Sequence, residues 1–211
     1  STQEGEHIGF VLVIQDVTES RRLLRQLSYN ASHDALTGLP NRSSFESQLK
    51  ALLTALPGGH QSHALIMLDL DFFKAVNDSA GHAAGDALLH EIAGLMRSQL
   101  RPSDILARLG GDEFGFILRH CSTEQALNAT ERIVEAIKHY EFTWAGRRHR
   151  IGASAGLTLI HEHNAQLADV LVQADSACYA SKHNGRGIVT VYSPPRQVGD
   201  QPSAYQICNN A

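Results

Sequence analysis

Two hydrophobic rhythms alternate along this chain, one with the period of a helix and one with the period of a strand. Residues 9–16 (Gly-Phe-Val-Leu-Val-Ile-Gln-Asp) form a β-rich run with no local partner. A helix follows with Thr18 as its N-cap, and Leu23, Leu24, Leu27 and Ala31 give it a stripe as narrow as a two-helix seam. Ser43-Ser44-Phe45-Glu46 reads as a capping box for a helix running to about Leu56, closed by Pro57-Gly58-Gly59. His63 to Leu68 is an apolar run that ends in Asp69-Leu70-Asp71, which predicts a central strand with acids at its C-terminal end. A short helix comes next and is broken at Gly81; the one after it has apolar positions at 88, 89, 92, 95, 96 and 100. Two short strands, Asp104–Ala107 and Phe114–Leu118, flank a Gly-Gly pair and read as a hairpin. Ser122-Thr123-Glu124-Gln125 caps a helix to about His139, and strands are expected at about 141–145 and 149–160. Leu167, Val170, Leu171, Ala174, Ala177 and Cys178 mark an amphipathic helix to Asn184-Gly185, before a closing strand at Ile188–Tyr192. Hairpins mixed with crossovers predict an α+β fold with one mixed β-sheet flanked by helices.

Composition narrows the function. The chain has 211 residues, 43% hydrophobic and 19% charged, which suits one domain with a buried core plus appendages. A net charge of −4 gives no general attraction to nucleic acid or acidic membrane, so bound phosphate needs local basic residues. Cys121, Cys178 and Cys208 are scattered without metal spacing and read as free thiols, which points to a reducing, cytoplasmic setting. No apolar run approaches a membrane span and no signal-peptide pattern opens the chain; any membrane anchor would lie in further domains. Twelve histidines include no H-x-x-x-H pair, and His161-x-His163 reads as a solvated loop.

The chemistry concentrates in the hairpin. Gly110-Gly111 supplies positive φ without a Cβ clash, and two adjacent carboxylates, Asp112 and Glu113, follow at its mouth. Acids this close repel unless a cation or a proton lies between them. Hard oxygen ligands beside a glycine turn suit Mg²⁺ with a phosphate, although the residues alone leave a plain acidic turn tip equally open.

Gly110-Gly111-Asp112-Glu113-Phe114 resembles the signature of the GGDEF family, the diguanylate cyclase domains. Asp34-Ala35-Leu36-Thr37-Gly38-Leu39-Pro40-Asn41-Arg42 matches the motif with which that domain begins. The resemblance covers residues 33–193 and implies a ferredoxin-like core similar to nucleotide cyclases and polymerase palms. Ahead of it, residues 1–17 resemble the last strand of a PAS sensor domain, leaving through Asp16-Val17-Thr18-Glu19, and residues 18–32 its signalling helix. The chain would then be part of a larger protein; a simple β-α extension is the plainer alternative. Residues 194–211 read as a flexible tail.

Carried onto this sequence, the resemblance implies a site. Asp69 and Asp112, with the Leu70 carbonyl and Glu113, would bind Mg²⁺ or Mn²⁺, two ions per GTP. Asp112 or Glu113 would deprotonate the ribose 3′-hydroxyl, and Lys74 would stabilise the transition state. Asn77 and Asp86 would read guanine, with His82 bracing the pocket. The Phe72 and Phe73 amides, Lys182 and Arg186 would hold the β- and γ-phosphates. Arg101 and Asp104, an R-x-x-D ahead of the hairpin, look like the family's product-inhibition site, with Arg108 adding to it. The implied activity is condensation of two GTP into cyclic di-GMP and two pyrophosphates by a homodimer under an upstream PAS-like sensor, with no nucleic-acid partner. The rival reading is a non-catalytic receptor for cyclic di-GMP or GTP. Departures from the family pattern are Ala80 for an aromatic residue, Gly115 for alanine and Gly187 for asparagine, which put pocket packing and phosphate contacts in doubt. No E-x-L-x-R phosphodiesterase motif is present.

Overall fold

The structure, a computed structural model, describes residues 18–56, 62–161 and 166–194. The expected strand at 9–16 with its PAS-like reading, the tail beyond 194, His163 and Cys208 lie outside these residues. Helices α1 (Thr18–Ser32) and α2 (Arg42–Ala55) precede strand β1 (His63–Asp71). Then come α3 (Phe73–Ala80), α4 (His82–Gln99), β2 (Ile105–Gly110), β3 (Glu113–Leu118) and α5 (Thr123–Lys138). A ribbon of β4 (Phe142–Trp144) and β5 (Arg147–His149) leads to β6 (Gly152–Ile160), α6 (Leu167–His183) and β7 (Val189–Val191). The five-stranded sheet has the order β2-β3-β1-β6-β7, antiparallel except for the parallel β6–β7 pair. This is the expected α+β architecture with a mixed sheet.

Strand β1 is central and buried on both faces because helices cover each side. Ala64, Ile66, Leu68 and Leu70 join the core that includes Leu88 and Ile92 of α4 and Ile133 and Ile137 of α5. Leu65 belongs to the opposite core, with Phe45 and Leu49 of α2 and Val170 and Ala174 of α6. Asp69 and Asp71 share the parity of Leu65, so the strand's two-residue period turns both acids to the face that α2 and α6 cover.

Two local expectations are corrected. Helix α2 is capped by Asn41 rather than by Ser43 or Ser44: the Asn41 side chain accepts from the Ser44 N–H at 3.0 Å, so the helix starts two residues sooner. The strand expected at 149–160 is two strands. Ala145 (φ 48°) and Gly146 (φ 76°) turn β4 into β5, and the chain breaks at Arg150-Ile151 before β6, with Ile151 buried in the core. The capping box at Ser122 and Gln125 forms as read. Gly115 lies where an added Cβ would come within 2.8 Å of Phe45, so this departure from the family pattern serves the packing of α2.

Arg108 ties the hairpin to the turn between α1 and α2. Its Nη1 donates to both Asp34 carboxylate oxygens at 3.0 Å, and its Nε and Nη2 donate to the Gly111 carbonyl at 3.0 and 2.8 Å. Partial burial pushes the Asp34 carboxyl up, but hydrogen bonds from the Thr37 hydroxyl and amide and from Arg108 outweigh it and hold it below the usual range. Arg108→Ala is expected to destabilise the fold by about 2 kcal/mol. A carboxyl depressed by folding contributes stability above its unfolded value and loses it as pH falls through the folded one. Urea unfolding should therefore show the wild-type advantage at neutral pH and see it shrink in acid.

Candidate active site

The hairpin turn docks against the end of β1. Asp69 lies opposite Glu113 in the β1–β3 ladder, and the Leu70 N–H donates to the Asp112 carbonyl at 3.2 Å. Gly111 sits at φ 53°, a conformation that glycine reaches without strain, and this brings Asp112 round towards β1. The hairpin acids Asp112 and Glu113 thus come close enough for their charges to act on Asp69, more than 40 residues earlier in the chain. Burial is the largest cause that raises the Asp69 carboxyl above its ordinary range; the charges of Asp112 and Glu113 add to it, while Lys182 opposes it. The Lys182 ammonium sits 2.6 Å from Asp69 Oδ2, and Arg42 of α2 meets Glu113 at 3.0 Å. Burial works to lower the Lys182 ammonium, and the Asp69 carboxylate more than reverses that, so this lysine stays charged.

This donor set fits a hard divalent cation. Crowded acids, a backbone carbonyl at Leu70 and a lysine standing in as counter-charge are what a magnesium-type site provides. Among the described residues no group of three or more His, Cys, Asp or Glu side chains is arranged to hold a metal ion by itself. A cleft of about 100 Å³ beside it is lined by Asp69, Glu113, Asp175, Cys178, Tyr179 and Lys182. The Cys178 thiol is pushed up to about 12 by burial and by the Asp69 charge, and it donates to the Ser154 carbonyl at 3.4 Å. It remains protonated and is no nucleophile.

The residues expected to hold phosphate and base gather around α3. Phe72 caps α3 in a left-handed conformation (φ 65°), and Arg186, also left-handed (φ 61°), places its guanidinium 5.8 Å from the Phe72 ring centre. Both residues are non-glycine, so each conformation carries backbone strain that its surroundings must hold in place. Lys74 is exposed on α3. Gly81 (φ 86°) breaks α3 from α4 and leaves His82 and Asp86 exposed at the start of α4. Asn77 lies against α4 at Gly85, where an added Cβ would fall 2.0 Å from Asn77 Oδ1.

Comparison with known proteins shows the family of the chain. The family model described as "Diguanylate cyclase, GGDEF domain" matches residues 31–187. The chain belongs to the GGDEF family. It is 65% identical over 194 residues to the probable diguanylate cyclase DgcE of Escherichia coli K12, covering 92% of this chain and 18% of that protein. It is 33% identical over 189 residues to the cyclic di-GMP phosphodiesterase PdeB of Shewanella oneidensis, covering 90% of this chain and 22% of that protein. The chain thus spans about a fifth of the length of these curated relatives. The crystal structure of the coiled coil and GGDEF domain of DgcB from Caulobacter crescentus in complex with c-di-GMP has a TM-score of 0.77 and 29% identity, covering 83% of this chain and 93% of that one. A GGDEF domain of the diguanylate cyclase class implies a divalent-metal requirement in general.

On this GGDEF domain a second cleft, lined by three arginines, lies at the other end of β3, beside Leu118. Arg101 is exposed, whereas Asp104 is buried with both oxygens engaged: Oδ2 accepts from the Arg101 N–H at 3.0 Å and Oδ1 from the Arg119 N–H at 3.2 Å. Arg101, Asp104, Arg119 and Arg132 line a cleft of about 220 Å³. Arg119 and Arg132 were not legible as site residues, because only the docking of α5 brings Arg132 beside Arg101. Arg108 is not at this cleft; its guanidinium is engaged by Asp34 and Gly111.

Proposed function

We propose that this domain is the catalytic unit of a diguanylate cyclase, condensing two GTP into cyclic di-GMP and two pyrophosphates. The observation that supports it best is the meeting of Asp69 with Glu113 and Lys182 in one cleft, with the Asp112 carboxylate close enough to act on Asp69. Mg²⁺ or Mn²⁺, held by Asp69, Asp112, Glu113 and the Leu70 carbonyl, would neutralise the triphosphate and acidify the ribose 3′-hydroxyl. Asp112 or Glu113 takes the proton from that hydroxyl. Lys74 meets the charge that develops on the transferring phosphoryl group. The Phe72 and Phe73 amides, Lys182 and Arg186 hold the outer phosphates, and at the guanine edge the Asn77 amide donates while the Asp86 carboxylate accepts, with His82 beside them.

One such site holds one GTP, so two copies must face each other for each hydroxyl to reach the other α-phosphate. Leu23 and Leu27, 52% and 65% exposed on α1, provide an apolar stripe for that pairing and a route for control by a PAS-like sensor. Arg101 with Asp104, joined by Arg119 and Arg132, would take up product and inhibit.

A relative named as a phosphodiesterase supports a second reading, a domain that binds nucleotide and relays it without chemistry. Purified chain given GTP and Mg²⁺ separates the two: cyclic di-GMP and pyrophosphate are expected, and ATP should not replace GTP. Binding of GTP and Mg²⁺ with no dinucleotide formed would favour the relay. Gly85→Ala is expected to push Asn77 aside and weaken GTP binding about tenfold, the loss of roughly one base hydrogen bond, as titration calorimetry would measure.

A further inference from the structure

Asp71 is the one acid of the Asp69-Leu70-Asp71 run that the mechanism above does not use, yet it is the more buried of the two aspartates, with its side chain 2% exposed against 15% for Asp69. A buried carboxylate is costly unless its oxygens are satisfied. Here they are satisfied by a distant segment. The Ser154 hydroxyl of β6 lies 2.9 and 3.0 Å from the two Asp71 oxygens, and the Gly187 N–H donates to Oδ2 at 3.1 Å. Ser154 Oγ accepts from the same Gly187 N–H at 3.3 Å, and Arg186 Nε lies 3.8 Å from Asp71 Oδ1.

These contacts join the two halves of the phosphate cradle. One half is the Phe72–Phe73 turn, which begins at the residue after Asp71. The other is the 185–187 loop, held in a series of positive φ values at Gly185 (114°), Arg186 (61°) and Gly187 (65°). A loop in that conformation is strained at Arg186 and needs outside bonds to persist. Asp71 and Ser154 supply them from β1 and β6.

We propose that Asp71 and Ser154 are positioning residues that lock the Arg186 loop to the Phe72 turn, so that Arg186 and the Phe72–Phe73 amides close on the same outer phosphates of GTP. The inference rests on the GTP-binding reading and names the residues through which that site is shaped. Neither residue touches the nucleotide in this scheme; both act through Gly187 and Arg186.

The test compares GTP with GMP, which lacks the phosphates that the two halves share, by titration calorimetry on the full chain. In Ser154→Ala and Asp71→Asn, GTP affinity is expected to fall about tenfold while GMP affinity stays at the wild-type value. Equal losses for both nucleotides would mean a merely structural role and overturn the proposal, as would no loss for either. Should Asp71→Asn fail to fold, Ser154→Ala decides, since it removes one hydroxyl only. In the wild-type protein the Gly187 amide should also be protected from hydrogen exchange, and an amide exchanging at the free-chain rate would overturn the lock by itself. Wild-type protein that binds no GTP would remove the functional reading together with this one, whereas GTP binding indifferent to both substitutions removes this one alone.

Discussion

Asp112→Ala is expected to lower cyclic di-GMP formation by about a thousandfold while leaving the fold intact. The magnitude follows from losing several kcal/mol of transition-state charge stabilisation at a metal-dependent centre, each ~1.4 kcal/mol being tenfold in rate. The fold should survive because the contact that docks the hairpin turn on β1 is made by the Asp112 backbone carbonyl, which accepts from the Leu70 N–H. Removing this carboxylate also relieves repulsion on the half-buried Asp69, so the melting temperature should hold or rise slightly. Product chromatography with a thermal melt on the same sample reads both quantities. A variant that keeps wild-type turnover would dissociate the hairpin acids from catalysis, and a variant that fails to fold would mean that the carboxylate has a structural task the geometry does not reveal.

Gly156→Ala is expected to be the most damaging single methyl group in the domain. Gly156 is at the middle of β6, and a Cβ there would lie 2.0 Å from the Cys178 backbone nitrogen, 2.2 Å from the Ala174 carbonyl oxygen and 2.6 Å from the Ala177 carbonyl carbon. These are backbone atoms of α6, which cannot rotate away as a side chain would, so the helix must shift on the sheet. Overpacking of this kind destabilises by about 1–3 kcal/mol. Because α6 carries Lys182 and delivers the 185–187 loop, GTP affinity should fall with stability. Gly94→Ala is the control. Gly94 is exposed within α4 with open space around it, so alanine there should stabilise by about 0.5–1 kcal/mol through helix propensity. Urea unfolding of the pair separates the steric effect at β6 from the general effect of replacing a glycine. Equal responses of the two would contradict the close approach of α6 to β6.

The helices and strands of this domain were legible because their causes are local. A run such as His63 to Leu68 is apolar at successive positions because the strand is covered on both faces, and the Ser122 capping box satisfies its own helix end within four residues. Where reading failed it failed locally too: Asn41 offers the same capping oxygen as serine and takes the helix start first, and a break at Arg150-Ile151 leaves no mark in an otherwise extended pattern. The acidic hairpin announced itself through two glycines and two adjacent carboxylates, and the family motif carried the expectation that Asp69 would be its neighbour.

Residue order therefore specified the elements, the glycine turn and the stock of acids and bases, since each depends on backbone preferences and contacts within a few positions. The meeting of Asp69 with Glu113 and Lys182, the bond from Asp71 to Gly187 and the approach of Arg132 to Arg101 depend instead on strand order and on how α5 and α6 lie against the sheet. Partners separated by 30 to more than 100 residues have no local preference that selects them. They are chosen by burial on the two faces of β1, which only the assembled fold defines.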